Sequence, residues 1–140
     1  MNFVDRKNRA FNCFANFNPE CDDKEYHELK DIFLPMLFKE NNCRLEINVG
    51  KRVSDEKFVS WLSLVTHSFI VIPSDYDNEP QLIIRDCTNI SKKNITLINL
   101  TAMSDLHIET EEAVDFYSHR ICFNYNKEVD YQMHIIVNKE

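Results

Sequence analysis

The residues whose types and spacing could do chemistry gather near the end of the chain. In His119-Arg120-Ile121-Cys122 a thiol stands three residues from an imidazole and two from a guanidinium. A neighbouring base or cation is what lowers a thiol's pKa toward the reactive thiolate. The spacing argues against that use, because on a strand the Cys122 side chain points away from Ile121 and need not meet His119 at the end of a preceding helix. His107-Ile108-Glu109 echoes the His-x-Glu of zinc deaminases, yet the Pro-Cys-x-x-Cys that should supply the other ligands is missing. No close pair of cysteines offers a zinc-finger or ribbon site either. The carboxylates Glu109, Glu111, Glu112 and Asp115 could do acid-base work, but acids at the start of a helix need no catalytic explanation. The expectation is therefore no catalytic, cofactor-binding or metal-ligating residue. The alternative is a small enzyme, or the accessory subunit of one, that uses Cys122, His119 or Glu109, Glu111 and Glu112.

Gly50 is the one glycine in 140 residues. Phosphate loops and dinucleotide folds need several glycines to bring backbone amides against phosphate, and the hydrolase elbow Gly-x-Ser-x-Gly needs two. These classes are excluded. A formal net charge of −7 also makes a reader of phosphate backbones improbable, since that affinity comes mainly from Lys and Arg.

Charge placement is the more informative feature. Between Asn94 and His119 there is no Lys or Arg, while Asp105, Glu109, Glu111, Glu112 and Asp115 accumulate. A second acidic group, Asp75-Tyr76-Asp77-Asn78-Glu79-Pro80, surrounds an aromatic side chain. An acidic rim accelerates encounter with a basic partner, and a central Tyr can supply contact energy once desolvated. The functional expectation is a binding module that masks a basic protein, as an immunity protein or inhibitor neutralises a toxin or nuclease. Its partner-binding residues would be Asp75, Tyr76, Asp77, Glu79, Asp105, Glu109, Glu111, Glu112 and Asp115. The competing reading is a solvated face that serves solubility.

The segment Asn89 to Thr101 contains three glycosylation-acceptor patterns, at Asn89, Asn94 and Asn99. They would matter only where the glycosylation machinery could meet them. Met1 to Arg9 places charges where a signal peptide carries its apolar stretch, and five singly scattered cysteines suit reduced thiols. The expected location is the cytoplasm, and the sequons are expected to be chance products of an Asn-, Ile- and Thr-rich segment. No apolar run approaches the ~20 residues of a membrane helix.

The elements that must position these residues are read from periodicity. Tyr26, Leu29, Ile32, Phe33, Met36 and Leu37 recur at helical spacing between about Asp23 and Glu40, with Pro35 predicting a kink or break near Leu34. Cys43 to Val49 alternates as a half-buried strand that Gly50 ends. Ser54 can cap a helix lined by Phe58, Trp61, Leu62 and Val65. Phe69 to Ile72, Leu82 to Asp86 and Ile95 to Leu100 read as strands, the last two antiparallel. Thr110 and the acids after it suggest a helix to about His119 that buries Ala113, Phe116 and Tyr117. Ile121 to Tyr125 and Tyr131 to Val137 flank Asn126 to Asp130 as a terminal hairpin. The first twenty residues fit helical and strand patterns equally well. The expected architecture is one α+β domain, a mostly antiparallel sheet with about three helices packed mainly on one face, and Trp61, Leu62, Phe116, Ile47 and Ile135 in its core.

Overall fold

A computed structural model describes residues 23–75, 79–88 and 95–139. The described chain is mostly β, with a single α-helix, α1 (Asp23–Phe33), followed by a 3-10 turn, Leu34–Met36. The expected break falls where Pro35 removes a backbone donor. Nine strands follow: β1 (Glu40–Asn41), β2 (Arg44–Arg52), β3 (Phe58–Thr66), β4 (Phe69–Ser74), β5 (Gln81–Asp86), β6 (Ile95–Asn99), β7 (Met103–Glu112), β8 (Phe116–Tyr125) and β9 (Val129–Asn138). They form a four-stranded sheet in the order β1-β4-β5-β6 and a five-stranded sheet in the order β3-β2-β9-β8-β7, with antiparallel neighbours throughout.

This corrects the α+β expectation with its three helices, because two of the helices are strands. Residues 58–66 form β3, and the Val53 to Lys57 turn before it closes with the Val53 amide on the Lys57 carbonyl at 3.0 Å, so Ser54 caps no helix. The misleading signal has a physical origin. The β2–β3 register slips between Val49 and Gly50, so Trp61 is an extra residue in a bulge. Ser60 and Ser63, three apart, consequently meet side by side, their hydroxyls 3.3 Å from each other. A bulge thus turns a period of two into a local spacing of three, which imitates a helix. Residues 110–119 instead cross from β7 to β8 through the turn Ala113 to Asp115, closed by the Ala113 amide on the Phe116 carbonyl at 2.8 Å. That turn holds no Gly, Pro or Asn, and its one turn-favouring residue, Asp115, fits an acidic helix start as readily.

Both sheets turn their apolar faces into one hydrophobic cluster. The five-stranded sheet contributes Leu45, Ile47, Ile121, Met133 and Ile135, the four-stranded sheet Phe69, Val71, Leu82, Ile84 and Ile98, and α1 adds Tyr26, Leu29 and Phe33 while packing against β7. Ile47 and Ile135 lie in the core as expected. Trp61 and Leu62 do not: they are 59% and 61% exposed on the edge strand β3, and Phe116 is only half-buried.

Gly50 does not end its strand, which continues to Arg52. It sits at the bulge, where a Cβ would lie 2.0 Å from the Val59 carbonyl oxygen. The one glycine is needed for the close approach of the β3 backbone.

Candidate functional site

Strand alternation sorts the chemistry-bearing residues of the five-stranded sheet onto two faces. Cys122, Arg120, His107, Glu109, Gln132, His134, Glu46 and Asn48 share the outer face, and His119 shares the inner face with Ile121 and Ile135. Cys122 and His119 therefore point to opposite sides of the sheet and cannot act together. Burial pushes the Cys122 thiol up, with Glu109 and Asp130 adding to the shift, and the nearby Arg52 and Arg120 oppose it. A thiol held protonated is a poor nucleophile. Burial holds His119 below the usual imidazole range, and its Nδ1 lies 3.0 Å from the Thr110 hydroxyl.

His107 and Glu109 do share a face, with the imidazole Nε2 3.3 Å from the carboxylate and Glu25 of α1 3.8 Å from Nδ1. Among the described residues no group of three or more His, Cys, Asp or Glu side chains is placed to hold a metal ion.

The outer face forms an open concavity of about 540 Å³, floored by Glu46, Asn48, Arg120, Gln132 and His134. Hydrogen bonds hold Glu46 and Asn48 in its floor and tie the neighbouring side chains. Arg44 and Asn48 donate to Glu46 at 2.9 and 3.0 Å, Ser63 donates to Asn48 at 2.5 Å, and Asn124 donates to Asp130 at 3.1 Å. The bonds from Asn48 and Arg44, with the Arg44 charge, hold the Glu46 carboxyl below the usual carboxylate range. Ser118 and His134 lie 2.7 Å apart, a nucleophile-and-base distance that sequence spacing did not reveal because it arises across β8 and β9. Ser118 is buried, however, and burial with the charges of Arg120 and Arg44 depresses His134. The amides of these strands are committed to the sheet ladder, which leaves no pair of donors for an oxyanion. The contact reads as a cross-strand hydrogen bond.

The acidic residues are placed differently from the helix start expected of them. Glu109 and Glu111 lie exposed in one row on the outer face of β7, the terminal strand of its sheet. Glu112 points to the other face and is paired with Lys139 at 2.7 Å, which holds its carboxyl low. Asp115 occupies the β7–β8 turn, where its carbonyl accepts from the Lys139 amide at 2.8 Å. Asp105 is exposed with φ 53°, at the irregularity between Ser104 and His107. Asp75 and Glu79 stand between β4 and β5 on the other sheet, and Tyr76 and Asp77 fall outside the described residues. Glu79 accepts from the Asn99 side-chain Nδ2 at 2.6 Å, while the Asn99 side-chain Oδ1 accepts from the Thr101 amide and hydroxyl at 3.0 and 2.6 Å. The third sequon thus serves as a turn at the end of β6. Asn89 and Asn94 lie outside the described residues.

The described residues thus form two antiparallel sheets with one flanking helix and an acidic edge strand. No protein-family model, curated protein or solved structure matches the chain. Among the described residues no helix is long and apolar enough to cross a membrane.

Proposed function

We propose that the protein is a cytoplasmic binding module that masks a basic protein partner through the acidic edge of its five-stranded sheet, much as an immunity protein or inhibitor covers a toxin or nuclease. The observation that carries this reading is the exposed row Glu109 and Glu111 along β7, continued by Asp105 and Asp115 at its ends, in a stretch from Asn94 to His119 that holds no Lys or Arg, with Arg120 of β8 the cation that stands across from Glu109. Glu112 contributes less, because Lys139 already answers its charge. Carboxylates displayed on an edge raise the rate of encounter with a cationic surface. Asp75, Tyr76, Asp77 and Glu79 form the second part of the proposed surface, with Tyr76 as its anchor.

Affinity capture from the native organism, followed by rate measurements on the recovered complex, tests the reading. Replacing Glu109, Glu111 and Asp115 by Lys slows association at low salt, and the difference shrinks as salt rises because exposed charges are screened over ~8 Å at physiological ionic strength. Tyr76→Ala acts instead on dissociation, with a loss of ~2 kcal/mol or more. A captured partner without a basic surface, or association rates that ignore the three reversals at every salt concentration, would remove the proposal.

A further inference from the structure

The concavity on the outer face of the five-stranded sheet has free hydrogen-bonding groups at its middle and engaged ones around them. We infer that it is a binding site for a small polar carboxylate, a hydroxy or amino acid, whose carboxylate is gripped by Arg120 with Gln132 beside it.

Strand register lays the side chains out as a grid. One row runs Glu109, Arg120, His134 and Glu46 across β7, β8, β9 and β2, and the next runs His107, Cys122, Gln132 and Asn48. Most of these are tied to partners. Glu109 stands 3.3 Å from His107, His134 stands 2.7 Å from Ser118, Glu46 accepts from Arg44 and Asn48, and Asn48 accepts from Ser63. Arg120 and Gln132 are not. Among the described residues the Arg120 guanidinium forms no ion pair, although Glu109 stands across from it in the register, and neither it nor the Gln132 carboxamide has a hydrogen-bond partner. The two are diagonal neighbours on β8 and β9, roughly 7 Å apart at their stems, so both side chains can reach one bound group. Satisfied side chains around unsatisfied ones are what hold the contact groups of a site in place.

Two bulges frame the grid. The β7–β8 register shifts between Ser104 and His107, and the β2–β3 register shifts between Val49 and Gly50, beside Asn48. A bulge adds twist and re-aims the side chains next to it, and these two stand at opposite margins of the concavity. Its volume, about 540 Å³, is in the range of small-molecule sites.

The free groups select the ligand. A guanidinium only donates, through a planar fork of N–H groups, and a primary amide donates two more, so the anchor of the ligand is an anion. Arg52 lines the same space and adds a second cation, its Nη1 held on the Asp55 carbonyl at 3.1 Å. His134 adds no charge near neutral pH, because burial and the charges of Arg120 and Arg44 hold its pKa down. Glu46 and Glu109, at the two ends of their row, oppose a second negative charge on the ligand. That disfavours phosphate and leaves the planar, singly charged carboxylate that matches the guanidinium fork. The same two acids keep lone pairs for hydroxyl or ammonium donors on the rest of the molecule.

Nuclear magnetic resonance of the isotope-labelled full chain reads the site through the side-chain N–H signals of Arg120 and Gln132. Lactate, serine and gluconate are the probes, titrated at constant ionic strength and near-neutral pH. Sorbitol, which keeps the polyol of gluconate without its carboxylate, and inorganic phosphate are the comparisons. At least one of the three carboxylates is expected to shift both signals saturably, with half-saturation on the order of 1 mM. Sorbitol should shift neither, and phosphate should bind at least about tenfold more weakly. Arg120→Lys keeps the charge but not the fork and should weaken binding about tenfold at the Gln132 signal, while Arg120→Gln should abolish it. Arg120 is exposed, so both variants should keep the parent circular-dichroism spectrum. Arg85→Gln, an exposed change on the other sheet, should leave binding as it was. The inference is overturned if none of the three carboxylates gives a saturable shift up to about 50 mM, if phosphate or sorbitol binds as well as they do, or if Arg120→Gln binds like the parent. Association rates with a protein partner do not enter these titrations, so their outcome is read separately from that of the acidic-edge proposal.

Discussion

Asp86, at the end of β5, and Thr66, at the end of β3, join the two sheets through one hydrogen bond of 2.6 Å. The Thr88 amide and hydroxyl donate to the same carboxylate oxygen at 2.9 and 2.6 Å, so a carboxyl that is 7% exposed is kept solvated by protein donors. Thr66→Val preserves shape but removes a donor from a buried charge, and it should cost ~1–3 kcal/mol in urea denaturation. A loss below ~0.5 kcal/mol, the range of ordinary surface changes, would show that the remaining partners of Asp86, Thr88 among them, satisfy it without Thr66. Gly50→Ala should cost a similar ~1–3 kcal/mol, because the new methyl meets backbone that cannot swing aside as a side chain would. Residue-scale facts of this kind were only partly legible in the sequence. The single glycine marked Gly50 as special, but whether it ended a strand or admitted a neighbour depends on β3, whose identity the periodicity concealed. The parity of Ile121 and Cys122, in contrast, follows from the covalent geometry of any strand, and although His119 lies on β8 and not at the expected helix end, the same parity sets it on the face opposite Cys122.

At the scale of elements, legibility followed the regularity of the pattern. The alternation of residues 43–49, the apolar runs of β4 and β5, and the terminal hairpin were readable because no irregularity interrupts them. In that hairpin Asn126 and Lys127 adopt φ 55° and 58°, the positive values that tight hairpin turns demand. The two failures, β3 and the β7–β8 crossing, lie where a bulge or an unannounced turn breaks the period. Moving Leu62 from a helical core face to an open edge changes what its truncation should do. Leu62→Ala is expected to alter stability by less than ~0.5 kcal/mol, whereas Leu45→Ala, on the fully buried face of β2, should cost ~2–5 kcal/mol. Thermal or urea unfolding of the pair checks both. Comparable losses at the two positions would mean that Leu62 packs inside.

For the molecule as a whole, acidity is a test of how the fold holds its imidazoles. Burial depresses His119 on the inner face and His134 on the outer face below the ordinary value of 6.5. Around His134, Arg120 and Arg44 reinforce the shift, while Glu46 and Glu111 oppose it. Around His119, Glu28 and Asp31 of α1 line the same groove, yet desolvation dominates. A histidine whose folded pKa is depressed binds fewer protons in the folded chain than in the unfolded one, so stability rises with pH through that window. The contribution is fully present above 6.5 and is lost as pH falls through the folded values. Glu46 and Glu112, held low by their hydrogen-bond partners, act in the same direction further down, below their ordinary value of 4.5. Stability should accordingly decline in two stages on acidification, one beginning just below pH 6.5 and one below 4.5. Replacing both His119 and His134 by Gln, which can still meet Thr110 and Ser118, should flatten the first stage and spare the second. If the wild-type denaturation midpoint does not change between neutral pH and pH 5, or if the double variant retains the first decline, the two imidazoles are not held neutral by burial, and the packing described around them is wrong.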